Sequence, residues 1–101
     1  KMKNEEVITI WAAGGQASNG NSSLYSDSRG NLYSYQLHIG TRTNAGVCIV
    51  ANYTRLGVFK SQTTSSHVNA AKLIAEQRDG VIMHPHAWES SPLVHRSAPA
   101  F

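Results

Sequence analysis

The chain is predicted to fold as a small α+β domain, a twisted antiparallel sheet of about four to five strands with one main helix on one face. Three observations predict it. A period-two run from Leu32 to Arg42 is followed after a turn by the apolar segment Val47 to Tyr53. The stretch from Phe59 to Ala75 passes from extended residues through four hydroxyls (Thr63, Thr64, Ser65, Ser66) into an amphipathic helix. Val7 to Ala12 (V-I-T-I-W-A) is rich in β-branched and aromatic residues. With 101 residues the chain fits one domain, residues 1–101.

Taken in order, Val7 to Ala12 is apolar on both alternations, which predicts a first strand covered on both sides. Residues 14–23 combine glycines with Asn and Ser and no apolar period, which predicts a mobile loop. The repeat of Leu24-Tyr25-Ser26 as Leu32-Tyr33-Ser34 across D-S-R-G-N predicts a hairpin. From Leu32 to Arg42, Tyr33, Tyr35, Leu37 and Ile39 are expected to face the core, and Ser34, Gln36, His38 and Arg42 the solvent. Thr43 to Gly46 then turns the chain so that Val47 to Tyr53 pairs antiparallel with that strand. A short strand is expected at Val58 to Ser61. At about 100° per residue, Val68, Ala71, Ile74 and Ala75 share one helix face, and His67 projects onto it. Asp79-Gly80 ends the helix. Val81 to Trp88 reads as a last strand that Pro85 confines to an edge or breaks, and residues 89–101 as a loose tail.

No apolar run approaches the roughly 18 residues of a membrane span, so no membrane role is expected. Lys1 precedes Met2, and the K-N-E-E that follows is too charged for a signal peptide. The one cysteine, Cys48, sits in an apolar strand pattern and reads as a buried, inert thiol. An intracellular location is expected. Nine Lys and Arg against six Asp and Glu give a formal net charge of +3, which leans slightly towards an anionic partner. Arg42, Arg55, Lys60, Lys72 and Arg78 lie around the strand-to-helix junction and could make one basic face.

The segments Tyr33 to Arg42 (Y-S-Y-Q-L-H-I-G-T-R) and Phe59 to His67 (F-K-S-Q-T-T-S-S-H) resemble short proteins of tailed bacterial viruses. In that group a Tyr-containing strand ending in Arg precedes a strand running into T-T-S-x-H. The resemblance covers the central third to half of the chain. It implies a viral origin, hence a host cytoplasm, and a small sheet-plus-helix unit. The group is uncharacterised and supplies no activity.

The expected site is therefore the junction itself, with Arg42, Arg55, Lys60, Thr63, Thr64, Ser65 and His67 as ligand-binding residues. A helix start concentrates unpaired N–H donors, the hydroxyls add more, and the cations supply charge, which together suit a phosphate. Helix capping alone explains the same hydroxyls, and no Gly-rich loop or G-K-[ST] pattern precedes them. His67 reads equally as a core histidine tying the helix to a strand. His84 and His86 would share a strand face, but two ligands without a second Cys or a nearby carboxylate make no metal site. Tyr25, Tyr33, Tyr35, Tyr53, Phe59 and Trp88 could stack bases, though most are expected to fill the core. No G-x-S-x-G elbow or carboxylate pair appears, so neither a catalytic residue nor a cofactor is assigned.

The leading expectation is a non-enzymatic binding module for nucleic acid or a nucleotide. The alternative is a protein-interaction module, a counter-defence protein or assembly component that pairs with itself or a host protein through sheet edges. Homo-oligomerisation is expected. An outsider is a small hydrolase or nuclease using His38 or His67.

Overall fold

The computed structural model describes residues 2–92 and shows an α+β domain of six strands and three helices. The elements are α1 (Asn4–Ala12), β1 (Ala17–Ser18), β2 (Leu24–Ser26), β3 (Asn31–Ser34), β4 (Leu37–Arg42), β5 (Cys48–Ala51), α2 (Gln62–Gln77), β6 (Val81–Met83) and α3 (Pro85–Glu89). The strands lie in sequence order, antiparallel from β1 to β5, while β6 joins β5 in parallel. The sheet is thus mixed rather than wholly antiparallel. A parallel pair needs a long crossover, and the 52–80 segment containing α2 provides it.

The first segment is a helix, not a strand. Val7, Ile8, Trp11 and Ala12 are its buried residues, a helical stripe that outweighs the β-branched composition. Glu6 reaches back to accept from the Lys3 backbone N–H at 2.8 Å, and Glu5 and Glu6 sit at the positive end of the helix dipole. Trp11 fixes α1 to the β2–β3 turn by donating from Nε1 to the Gly30 carbonyl at 2.7 Å. α1 and α2 lie side by side, α1 over β1 to β3 and α2 over β5 and β6. Between them and the sheet lies the core, which includes Leu24, Leu32, Val50, Val68 and Ala71.

The hairpin of β2 and β3 forms, with Tyr25 opposite Tyr33. Its turn is held by Asp27, whose Oδ1 accepts from the Arg29 and Asn31 backbone N–H groups. The Leu32 to Arg42 run, however, is two strands. Tyr35 adopts φ 56°, a left-handed conformation uncommon for a bulky residue, and Ser34 pairs with Leu37 across a two-residue turn. This break and a bulge before Gly40 reverse the expected facing at its centre: Ser34 is fully buried, while Tyr35 is 52% exposed. β4 and β5 pair antiparallel as expected, Thr41 opposite Ile49.

Residues 58–61 form no strand and lead into α2. The 14–23 segment contains β1, and Asn19 binds Asn4, Ser23 and the Leu24 N–H through its side chain. The left-handed residue after α2 is Asp79, at φ 55°, rather than Gly80. Pro85 ends β6 and opens α3, where a first-turn proline loses no hydrogen bond. Cys48 is buried, and desolvation raises its thiol pKa. The tail beyond Pro92, with His95, lies outside the described residues. Among the described residues no helix is long and apolar enough to cross a membrane.

Candidate functional site

α2 begins one turn earlier than its hydroxyl run suggests. Ser61 is the N-cap, in extended conformation, and its Oγ accepts from the Thr64 N–H at 3.1 Å. Thr63 to Ser66 therefore lie within the helix, where the 100° step sends them in different directions.

Thr64 and His67 turn inward. Ser34 Oγ lies 2.7 Å from His67 Nδ1 and 3.0 Å from Thr64 Oγ1, so one serine of β3 anchors two residues of α2. Burial lowers the His67 pKa, which keeps the ring neutral at pH 7. A consistent proton arrangement has Ser34 donating to Nδ1 and accepting from Thr64. The 2.7 Å contact has the length of a nucleophile–base pair, yet Ser34 and His67 are 0% and 1% exposed and the hydroxyl is shared with Thr64. These residues join helix to sheet and leave the set of ligand contacts.

Gln62, Ser65 and Asn69 occupy the outer side of the same turns. With Thr54, Arg55, Leu56 and Phe59 from the β5–α2 connection they line a cleft of about 250 Å³. The Arg55 guanidinium carbon sits 4.4 Å from the Phe59 ring centroid, a cation–π contact that positions the charge. Ser65 is only 8% exposed, and its Oγ is a buried side-chain oxygen with no hydrogen-bond partner. Such a hydroxyl normally finds one. Thr63 and Lys60 are exposed, and Lys60 Nζ lies 5.8 Å from the Tyr53 ring centroid.

Arg42 does not belong to this group. It pairs with Cys48 at the end of β4 remote from Leu37, and its Nε donates to the Ala12 carbonyl at the C-terminus of α1 at 3.0 Å. Lys72 instead reaches Asn52 Oδ1 at 3.3 Å. The basic residues are consequently dispersed over the molecule. Of the seven expected ligand residues, Arg55 and Ser65 line one cleft, while Lys60 and Thr63 are exposed near it in sequence. Thr54, Leu56, Phe59, Gln62 and Asn69 are the additional lining residues. Asn69 follows Gln62 and Ser65 at helical spacing, so that signal was present in the sequence.

The aromatics mostly satisfy one another. Tyr25 stacks on Tyr33 at 5.1 Å, Tyr33 lies 5.1 Å from His38, and His38 lies 4.8 Å from Trp88 of α3. Trp88 also donates to the His38 carbonyl at 3.1 Å. His38 Nε2 lies 3.1 Å from Asn31 Oδ1, and desolvation lowers its pKa to about 4. The His84 and His86 rings meet edge-on at 4.9 Å, and the described residues contain no group of three metal-ligating side chains. The chain matches no protein-family model, and no curated protein or solved structure is found to be similar to it.

Proposed function

We propose that the domain is a small phage-type binding module, without a catalytic step, that takes an anionic partner of the nucleic-acid or nucleotide class in the Arg55–Ser65 cleft. The observation that carries this reading is the Ser65 hydroxyl, buried without a partner in the wall of a cleft that also holds a positioned guanidinium. An incoming phosphate or base edge supplies the missing partner. The first-turn N–H groups add donors, and the positive end of the α2 dipole favours negative charge. The cleft is smaller than the roughly 300 Å³ at which small-molecule pockets begin, so it suits one phosphate or one base rather than a whole cofactor.

The test is a titration of the ¹⁵N-labelled protein at low salt with single-stranded DNA, RNA and cyclic nucleotides. Saturable shifts are expected at Arg55, Gln62, Ser65 and Asn69, weakened by added salt and by joint Arg55→Ala and Lys60→Ala substitution. Absence of binding to all three, or binding unaltered by the pair of substitutions, overturns the reading.

A second reading is self-association through β6, which among the described residues borders β5 alone and carries the exposed Val81. Light scattering over a hundredfold concentration range tests it, and a monomeric mass throughout removes it.

A further inference from the structure

The opposite end of the β4–β5 ladder carries a second basic cleft, of about 250 Å³, lined by Gly14, Ser28, Arg29, Gly30, Arg42 and neighbouring residues of the β4–β5 turn. Arg42 is the half-buried base of this cleft. Its guanidinium is held between two backbone segments: a Cβ at Gly14 would stand 3.2 Å from Nη1, and one at Gly46 3.3 Å from Nη2. Both glycines have positive φ, 94° and 87°, so the chain approaches the guanidinium in a conformation that other residues rarely adopt. The strap to Ala12 uses Nε alone, one of five N–H donors. Arg29 shares the cleft, and among the described residues neither guanidinium is paired with a carboxylate. Two cations in one concave site, one fixed and one free to adjust, repel each other until an anion lies between them.

We propose that Arg29 and Arg42 form an oxyanion site of the phosphate class, separate from the Arg55–Ser65 cleft. Arg42 presents its two Nη groups from a fixed position, and the exposed Arg29 closes over the anion from the β2–β3 turn. A planar fork suits the oxygens of a phosphate, free or in a polynucleotide backbone, better than a point charge does. The site stands on its own geometry and does not depend on the junction reading.

The experiment is an NMR titration of the full ¹⁵N-labelled chain with inorganic phosphate, sodium chloride of matched ionic strength, and a single-stranded oligothymidylate. Phosphate is expected to give saturable shifts at Gly14, Ser28, Gly30, Asn44 and the Arg42 Nε–H that chloride does not reproduce. Arg29→Gln, on an exposed side chain, leaves the fold intact and weakens binding about fivefold. Arg55→Ala leaves this titration unchanged, so failure here is distinguishable from failure of the junction site. Saturation by the oligonucleotide at far lower concentration than by phosphate identifies a polynucleotide source; saturation by phosphate alone identifies a free anion. No saturable shift, shifts equalled by chloride, or an Arg29→Gln titration identical to wild type overturns the proposal.

Discussion

The two sides of the first turns of α2 are built from the same kinds of residue and do opposite things. On the inner side, Thr64 Oγ1 and His67 Nδ1 converge on Ser34 Oγ, so both hydroxyls have a partner. On the outer side Ser65 is buried almost as deeply, and its hydroxyl has none. The difference separates structure from site: a paired buried hydroxyl fastens two elements together, whereas an unpaired one beside a cation leaves room for a ligand.

The largest expected effect is that of acid, acting on His67 of the paired side and on His38 of β4. His67 is buried and His38 half-buried, and desolvation lowers the pKa of both, so the unfolded chain takes protons that the folded one refuses. Stability is then fully present above the ordinary histidine value of about 6.5 and is lost as pH falls towards 4. His38 alone accounts for about 3 kcal/mol over that window, and His67 acts in the same direction. Urea unfolding at pH 7.5 and pH 4.5 measures it; equal midpoints would break the picture of two neutral, partly or fully desolvated rings.

Ser34→Ala comes next in size. It strips the partner from both His67 Nδ1 and Thr64 Oγ1 and should cost about 1–3 kcal/mol, read as a lower unfolding midpoint at pH 7.5. The cap is smaller: Ser61→Ala removes the bond to the Thr64 N–H and should cost about 1 kcal/mol. Ser65→Ala is the sharpest contrast, since it deletes a hydroxyl that bonds to nothing and installs a better helix former. Its expected effect on stability lies within about 0.5 kcal/mol of zero, with anion binding weakened. A Ser65→Ala protein as unstable as Ser61→Ala would erase the distinction between the two sides.

Legibility followed local signals. The D-S-R-G-N turn, the amphipathic α2 and the antiparallel pairing of β4 with β5 each have short-range causes and were readable. The inward His67 was readable too, as a projection onto the apolar face. The Tyr35 turn was not, because Tyr35-Gln36 contains no Gly, Asn or Asp to announce a positive φ. Residues 7–12 misled because Val, Ile and Thr favour strands on average, and the helical stripe gains its meaning only against a sheet that α1 can cover. In the site, Arg55 and Ser65 could be picked out by their chemistry. Arg42 could not be excluded, since proximity in sequence to a turn does not reveal which end of a strand faces the helix start.

Composition and periodicity by themselves determined an α+β class, the antiparallel pairing of β4 with β5, the long helix and a weakly basic chain, because these depend on residues within a few positions of one another. Only the tertiary structure decided that β6 lies parallel to β5, that Ser34 anchors α2, and that Arg42 and Arg55 line separate clefts. Those outcomes depend on contacts between residues far apart in the chain, Ser34 with His67 33 positions on and Arg42 with Ala12 30 positions back, and the energy of burying a polar group or pairing a charge is set by the neighbours that such contacts bring together.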